Sequence, residues 1–318
     1  PEQEEGLEEA SDGGGSLEAL EDEIEALLAK AHEGTGGKPV APASASKPSI
    51  NLFNRAKPAR AVVQGNFRLT DADAESDVRH IILNLGDQVF PVLEGQSIGV
   101  VVPGKDAEGR PHEPRLYSIA SARDGEKPNT NNIALTVKRE DKGVASNYLC
   151  DLERGAEIDI TGPFGATFLL PNDPQANLIM ICTGTGSAPF RGFTERRRRT
   201  MPELKNKLKL YFGARRPEEL PYFGPLKKVP KSLLHTEFCY SRVEGQAKEY
   251  VQDRMRSRAS ELLDLLQQDE THIYICGLKG METGVDEALA DICRNGGLDW
   301  ASLKPDMRTS GRYHVETY

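Results

Sequence analysis

The stretch "ANLIMICTGTGSAPFRGF" (176–193) passes from an apolar run through a glycine-rich loop into a helix-like pattern. Such an apolar run is typical of a strand that is buried on both faces, as in a parallel sheet covered by helices. Glycines in the loop let the main chain approach a pyrophosphate, and the following helix N-terminus offers free N–H groups. Taken alone, the stretch also fits a tight turn that requires glycine, so its neighbours decide the interpretation.

Apolar runs of the same kind recur after residue 172, and helix-like stretches that include 244–267 and 279–295 lie between them. This alternation predicts an α/β doubly wound parallel sheet over 172–318, with ligands at the carboxyl ends of its strands. The other apolar runs are "KLKLYFGA" (207–214), "LLHTEFCYSR" (233–242) and "HIYICG" (272–277).

Residues 56–171 have a different rhythm, in which short β-rich runs are broken by Gly, Pro, Asn and Asp. Strands at this spacing predict an antiparallel β-barrel ahead of the α/β domain. The runs are "RAVVQGNFRLT" (60–70), "VRHIILNL" (78–85), "SIGVVV" (97–102), "RLYSIAS" (115–121), "NIALTVKR" (132–139) and "EIDITGPFG" (157–165).

The N-terminal part of the chain is acidic. Within residues 1–33, the stretch "LEALEDEIEALLAKA" (17–31) repeats apolar residues every three or four positions, which predicts an amphipathic helix. Such a helix either packs on the body or docks a partner. Residues 34–55 begin with "GTGGKPVAPASASKPSI", and their Gly, Pro, Ala and Ser content predicts a linker.

The net charge of −9 belongs to the N-terminal part, since residues 1–33 hold twelve of the 49 acidic and one of the 40 basic residues. The rest of the chain (residues 34–318) is nearly neutral, which argues against nucleic-acid binding. We call residues 56–318, which hold the two predicted domains, the body. The run "RRRR" (196–199) is either a solvated helix face or a patch for an acidic partner. The chain has no apolar run of membrane-spanning length and no secretory pattern, so we expect a cytoplasmic protein with no membrane partner.

The five cysteines are scattered and form no Cys-x-x-Cys pair. Iron–sulfur and zinc ligands usually come in tight pairs, so no metal site is expected from this chain. Scattered thiols in odd number fit a reducing compartment.

The stretch "YSRVEGQAKEYVQDRM" (240–255) follows an apolar run and is rich in hydrogen-bond donors. Ser241, Arg242 and Lys248 offer a hydroxyl and two cations, which is the donor set that a phosphate monoester requires. Tyr250 is placed to stack on an adenine. A site for NAD would instead carry an acidic residue near the ribose, so the stretch favours NADP over NAD, although a solvated helix start also fits it.

The barrel half has two further motifs. In "RLYSIAS", alternation puts Arg115 and Tyr117 on one face of the strand and Leu116 and Ser118 on the other. In "GVASNYL" (143–149), small residues open a predicted helix, which is a second geometry for binding an anion. Anion-binding loops in both domains predict two nucleotides.

From about Lys57 to Tyr318 the chain resembles the plant-type ferredoxin–NADP reductase family. The resemblance implies that the barrel binds FAD and that the α/β domain binds NADP(H). The motifs that carry it are, in order, "EGQSIGVV", "RLYSIAS", "VKR", "SNYLCDL", "ITGPFG", "TGTGSAPFR", "YSR", "YICGLKGME" and the terminal "VETY".

The resemblance also implies roles for individual residues. FAD contacts are expected from Arg115, Leu116, Tyr117, Ser118, Val144, Ala145 and Ser146. Val137 and Lys138 are expected to line the FAD and NADP sides, and Thr183 is expected to contact both cofactors. The other coenzyme contacts are expected from Gly184, Gly186, Ser241, Arg242, Lys248, Tyr250, Gly277, Leu278 and Glu316. The catalytic set is expected to be Ser118, Cys276, Glu316 and Tyr318. Ser118, Cys276 and Glu316 would orient the nicotinamide and flavin and manage a proton at flavin N5. The Tyr318 ring would lie flat on the isoalloxazine until the nicotinamide displaces it.

The chain departs from the family pattern at a few positions. Cys182 stands where a glycine is usual, and Ser187 stands where an isoleucine is common. After "VKR" the chain runs through "EDKG" (140–143) straight into "VASN", so the loop whose tyrosine stacks on the FAD adenine is shortened. The resemblance therefore does not account for how the adenine is held.

The resemblance implies an FAD-dependent NADPH reductase that passes electrons one at a time to an iron–sulfur partner. The acidic helix and linker resemble those of the reductase component (component A) of aerobic benzoyl-CoA epoxidation. That likeness implies a di-iron oxygenase partner and a ferredoxin-like domain with [4Fe–4S] clusters upstream of Pro1, joined by a tether at 34–50. The alternatives are a stand-alone ferredoxin–NADP reductase and a non-enzymatic, nucleotide-regulated adaptor that acts through the acidic helix.

Overall fold

A computed structural model of the chain describes residues 17–34 and 37–318. Residues 1–16 of the predicted acidic segment and residues 35–36 of the predicted linker lie outside the described residues. The described chain forms an antiparallel sheet followed by a parallel sheet, so the predicted two-domain fold is confirmed.

The first sheet has six antiparallel strands in the order β4-β3-β6-β1-β2-β5. Its two edge strands approach each other, because Ile119 pairs with Leu135 and the N–H of Ala120 donates to the carbonyl of Ala134 at 2.7 Å. This contact curls the sheet into a barrel. The strands are β1 (Ala59–Arg68), β2 (Val78–Asn84), β3 (Ser97–Val101), β4 (Arg115–Ser118), β5 (Asn132–Lys138) and β6 (Glu157–Phe164), and helix α2 (Val144–Asp151) follows β5.

The barrel core follows from the period of two in its strands. Ala59, Ala61 and Val63 of β1 are buried, while Arg60 and Val62 between them are exposed. Apolar side chains at alternate positions therefore fill the interior and stabilise the barrel by leaving water.

The second sheet has five parallel strands in the order β11-β10-β7-β8-β9. Ile179 and Ile181 pack under one layer of helices, and Leu178 and Met180 pack under the other, so both faces are covered. The strands are β7 (Asn177–Thr183), β8 (Leu208–Ala214), β9 (Leu234–Tyr240), β10 (Thr271–Gly277) and β11 (Tyr313–Thr317). The helices are α3 (Ala188–Thr200), α4 (Phe223–Lys228), α5 (Val251–Ser257), α6 (Ala259–Leu266), α7 (Lys279–Asn295) and α8 (Trp300–Thr309).

Two features of this domain differ from the sequence-based expectation. The stretch 244–267 is not one helix, because residues up to Tyr250 form a loop that contains Gly245 at φ 75°, and α5 and α6 are separated at Arg258. A positive φ does not fit a right-handed helix, and Arg258 has φ −106°. The chain also ends in a strand that the sequence did not predict, since β11 forms by pairing with β10.

A polar cluster fixes the two domains against each other. The hydroxyl of Tyr222 lies 2.9 Å from His80 Nδ1 and 2.6 Å from Thr136 Oγ1. Arg191 lies over the Tyr222 ring at 5.3 Å and donates to Glu126, which also contacts His80. His80, Thr136 and Glu126 belong to the barrel, whereas Arg191 and Tyr222 belong to the parallel-sheet domain. The cluster therefore holds the two domains in one orientation.

The N-terminal helix α1 (Leu17–Glu33) packs on this body. Ile24 and Leu28 are buried in a cluster with Phe164 and the half-buried Leu116, whereas Leu27 is 50% exposed. The amphipathic pattern at 17–31 thus predicted the helix, and part of its apolar stripe faces the protein.

The described part of the predicted linker also lies on the body. Asn172 Nδ2 donates to the carbonyl of Ser44 at 2.9 Å, and Arg123 Nη1 donates to Ser46 Oγ at 3.1 Å. Gln96 Nε2 donates to the carbonyl of Ser49 at 3.0 Å. The expectation of a free tether at 34–50 is therefore wrong for this part, because a main chain without helix or strand still offers carbonyls that the body can bind.

Candidate functional site

The parallel register aligns the candidate residues at the carboxyl ends of the central strands. Cys276 of β10 lies opposite Cys182 of β7 on one side and opposite Glu316 of β11 on the other. The next residue, Gly277, has φ 142°, and a Cβ there would lie 2.8 Å from Thr183 Oγ1. Only glycine allows the strand ends to approach this closely.

The glycine-rich loop forms a 3-10 turn over Gly184–Ser187 and leads into α3. Gly184 adopts φ 53°, and a Cβ on Gly186 would collide with the carbonyl oxygen of Cys276. Ser187 Oγ donates to the carbonyl of Gly184 at 2.9 Å and does not cap α3, whose first N–H groups therefore lack a side-chain cap. This uncapped start fits a phosphate group.

A hydrogen bond links the two domains at the same place. Ser118 Oγ at the end of β4 donates to Glu316 Oε1 at 2.5 Å, and Glu316 is only 6% exposed. Burial, together with the nearby Glu316 carboxylate, raises the pKa of the Cys276 thiol. Cys276 is therefore a neutral thiol rather than a thiolate nucleophile.

Sequence reasoning missed His32, which reaches this site from α1. Its Nε2 lies 3.3 Å from Glu316 Oε2, and the residue is 5% exposed. Ile24, Leu28 and His32 are spaced by four residues, so they lie on one face of the helix. The signal was present in the sequence: His32 extends the apolar stripe by one turn, where a polar residue is unexpected.

Tyr318 continues β11 beyond its last strand residue, since its N–H donates to the carbonyl of Gly277 at 3.1 Å. Its hydroxyl lies 3.0 Å from Thr185 Oγ1 in the glycine-rich loop. Tyr318 as a residue is 58% exposed and Thr317 before it is 2% exposed, whereas burial raises the pKa of the Tyr318 phenol. A fixed main chain thus holds the terminal ring against the glycine-rich loop, where a flat ligand could take its place.

The β4 side chains divide between two faces, as the alternation predicts. Arg115 is exposed, while Tyr117 packs against the barrel cluster that includes Leu149 and Cys150 of α2. Burial raises the pKa of Tyr117 to about 12, so the phenol is neutral. Leu116 contacts the α1 side instead. The structure therefore brings Tyr117 close to α2, the second predicted anion-binding element.

The start of α2 is a short, closed loop. Ser146 Oγ accepts from the N–H of Glu140 at 3.1 Å and donates to the carbonyl of Gly143 at 3.3 Å. Val144 is 55% exposed, whereas Ala145 is buried. Gly143 supplies no side-chain cap, so this start also fits a phosphate group.

Three candidate side chains lie away from the Ser118–Glu316 contact or bind other groups. The Val137 side chain is fully buried in the barrel core. Lys138 Nζ pairs with Glu140 Oε1 at 2.8 Å. Leu278, at the N-cap of α7, is 59% exposed and faces solvent.

The predicted phosphate-monoester residues lie together beyond β9. Ser241 is half-buried, and Arg242, Lys248 and Tyr250 are exposed. Over 17–34 and 37–318, neither Arg242 nor Lys248 has a salt bridge. Sequence reasoning missed Arg216, whose Nε donates to the carbonyl of Arg242 at 3.3 Å and which adds a third cation. This donor set fits an anionic group.

Residues 17–34 and 37–318 carry neither a candidate metal site nor a helix suited to a bilayer. No group of three or more His, Cys, Asp and Glu side chains there could hold a metal ion. None of the helices described is long and apolar enough to cross a bilayer. All five cysteines are unpaired and buried.

Comparisons with known proteins match both domains. Residues 67–168 match the family described as "Oxidoreductase FAD-binding domain", and residues 180–287 match "Oxidoreductase NAD-binding domain". The ferredoxin–NADP reductase of the Cyanophora paradoxa cyanelle is 39% identical over 287 residues, which is 85% of this chain and 79% of that protein. The ferredoxin–NADP reductase of Thermosynechococcus vestitus is 38% identical over 315 residues, which is 92% of this chain and 82% of that protein.

Solved structures of ferredoxin-NADP+ reductases also superimpose on this chain. Ferredoxin-NADP+ reductase from Plasmodium falciparum superimposes with a TM-score of 0.66 at 25% identity, over 85% of this chain and 99% of that one. A mutant of that enzyme with 2'P-AMP gives a TM-score of 0.67 at 26% identity, with the same coverage of both chains.

Proposed function

The chain belongs to the ferredoxin–NADP reductase family, and we propose that it oxidises NADPH and passes the electrons singly to an iron–sulfur protein. It is an NADPH-dependent flavin oxidoreductase, with an FAD-binding domain and an NADP-binding domain. When bound, FAD accepts the electron pair of a hydride and releases electrons one at a time.

The observation that carries the proposal is the hydrogen bond between Ser118 and Glu316. It joins a hydroxyl and a carboxylate at the contact of the two domains, where the nicotinamide and the flavin would meet in this proposal. Cys276 lies beside Glu316 on the neighbouring strand. In this proposal the three side chains orient the nicotinamide, and the Ser118–Glu316 pair holds the proton that flavin N5 exchanges.

The two ends of the coenzyme would be held by separate elements. The glycine-rich loop and the start of α3 would bind the pyrophosphate through main-chain N–H groups. Ser241, Arg242 and Lys248 would bind the 2′-phosphate, with Tyr250 on the adenine. Support comes from the exposed, unpaired cations of this loop, and from the related structure whose title names bound 2'P-AMP.

The test begins with the purified holoprotein. We expect one non-covalent FAD per chain, oxidation of NADPH with ferricyanide, and reduction of a ferredoxin by NADPH. A folded preparation that takes up no FAD, or that does not oxidise NADPH with ferricyanide, would overturn the proposal. The same result would favour the adaptor hypothesis.

We also propose a narrower role as the reductase component of aerobic benzoyl-CoA epoxidation, in the cytoplasm. The packed α1 and the segment after it lie ahead of the FAD-domain match, which begins at residue 67, and the unpaired cysteines fit a reducing compartment. In this role a [4Fe–4S] ferredoxin-like domain and a di-iron oxygenase would accept the electrons. Benzoyl-CoA-dependent NADPH consumption with that oxygenase would support it. Turnover with ferredoxin but none with the oxygenase would leave a stand-alone reductase.

A further inference from the structure

His32 of α1 contacts the candidate hydride-transfer site, although it lies far outside the motifs that define that site. We propose that His32 is a positioning residue for the Glu316 carboxylate. In this proposal, helix α1 contributes a functional side chain to the site. The proposal rests on the proposed function for the role of Glu316, but its geometry stands by itself.

Each oxygen of Glu316 is held by a different element. Oε1 accepts from Ser118 Oγ at 2.5 Å, and Oε2 lies 3.3 Å from His32 Nε2. Glu316 is 6% exposed and His32 is 5% exposed. Water therefore has little access to Glu316 and could not readily replace a hydrogen bond that the carboxylate loses. A buried carboxylate without its hydrogen bonds is costly, so two partners determine where this carboxylate lies.

The His32 ring is itself fixed on both sides. It stacks on Phe168 with centroids 6.0 Å apart and planes 18° apart, and its Nδ1 lies 3.4 Å from Thr167 Oγ1. The two ring nitrogens thus face the Glu316 carboxylate and the Thr167 hydroxyl, and these contacts together with the stacking fix the orientation of the ring.

The end of α1 is anchored beside β11 by Arg308, which is 3% exposed. Arg308 donates to the carbonyls of His32 at 3.2 Å and Gly37 at 2.9 Å, and also to the carbonyl of Glu33. The His32 and Glu33 carbonyls are among those that the end of a helix leaves without partners. Gly34 adopts φ 53°, where a side chain would collide with Glu282. The helix thus ends at one defined point, with His32 in its last turn.

The matched family regions cover residues 67–168 and 180–287, so both His32 and Glu316 lie outside them. Two residues on one face of β4 are linked to α1. Leu116 packs with Ile24 and Leu28, and Ser118 donates to the carboxylate that His32 also contacts.

The test compares three variants of the holoprotein. Replacing His32→Leu removes the donor and should lower kcat with NADPH and ferricyanide by about ten-fold, with KM changed less than two-fold. His32→Gln keeps an N–H near the same place and should recover most of the loss. Leu27→Ala changes an exposed residue of the same helix and should match wild type.

A second measurement does not depend on turnover. Thermal unfolding and the visible flavin spectrum are recorded for His32→Leu in the wild type and in a Glu316→Ala background. We expect His32→Leu to lower the Tm more in the wild type than in the Glu316→Ala background, and to shift the flavin band only in the wild type. A merely structural role would give equal Tm losses in both backgrounds and would overturn the proposal, as would an unchanged kcat in His32→Leu. An inactive wild type would refute the proposed function, while the Tm comparison would still decide the contact.

Discussion

The hydroxyl of Ser118 donates to Glu316 Oε1 at 2.5 Å, although Ser118 ends a strand of the barrel and Glu316 lies in the last strand of the other domain. The bond spans 198 positions of sequence and forms where the strands of the two sheets end. The geometry of this hydrogen bond therefore depends on the relative orientation of the two domains. The polar cluster around Tyr222 fixes that orientation. The first prediction concerns this bond directly.

Replacing Ser118→Val should lower kcat about 10- to 100-fold, because a hydrogen bond to a charged group contributes roughly 1.5–3 kcal/mol. KM for NADPH should change little, since Ser118 is not part of the phosphate-binding loops. Ser118→Thr keeps the hydroxyl and serves as the control. The measurement is steady-state NADPH oxidation with ferricyanide, and equal kcat values for the Val and Thr variants would contradict the assigned role.

Replacing Tyr318→Ser should tighten NADP+ binding and make NADH a better substrate. The reason is that the terminal ring would otherwise occupy the place where the nicotinamide stacks. Turnover should become slower because product release is slower. Tyr318→Phe retains the ring but loses the contact with Thr185 Oγ1, so it should stay close to wild type. Binding titration with both coenzymes checks this, and unchanged selectivity in the Ser variant would show that the ring lies elsewhere in the complex.

Replacing Arg242→Ala should reduce the preference for NADPH over NADH about 10- to 100-fold. Arg242 would lose a charged hydrogen bond to the 2′-phosphate, a group that NADH lacks. The control is Arg294→Ala, which removes an exposed arginine that pairs with Asp291 on α7. The ratio of kcat/KM for the two coenzymes is the measurement. The same ratio in wild type and Arg242→Ala would refute the placement of the phosphate.

Replacing Glu126→Gln should destabilise the protein near neutral pH and flatten its acid unfolding. Burial by itself would raise the pKa of Glu126, but hydrogen bonds from His80 and Arg191 outweigh it and lower the pKa to about 2. A carboxyl with a lowered pKa stabilises the fold above its unfolded value of 4.5, and this contribution is lost as pH falls from there toward 2.

The lowered pKa of Glu126 corresponds to a contribution of about 3 kcal/mol to the free energy of unfolding at pH 7. Urea unfolding between pH 3 and pH 7 measures the effect, with the exposed Glu157→Gln as control. A Glu126→Gln variant that keeps the wild-type stability and pH slope would show that this cluster does not hold the domains together.

Much of the fold could be read from local pattern. Alternation in β1 and the apolar runs of β7 and β10 predicted an antiparallel sheet followed by a parallel one, because side-chain burial repeats with the geometry of each element. Composition alone misled at residues 37–50, where Gly, Pro and Ser suggested a free tether. Those residues lie on the body, held by hydrogen bonds to Ser44 and Ser46.

The sequence by itself determined the candidate phosphate-binding residues, since the glycine-rich loop and the donors after β9 are local motifs whose chemistry depends on near neighbours. Only the tertiary structure decided what surrounds Glu316. Its partners Ser118 and His32 are 198 and 284 positions away, in a different domain and in the N-terminal helix. The spacing of residues along the chain does not predict these contacts with Glu316. They depend on the register of β11 on β10, on the fixed orientation of the two domains and on the anchoring of α1 by Arg308.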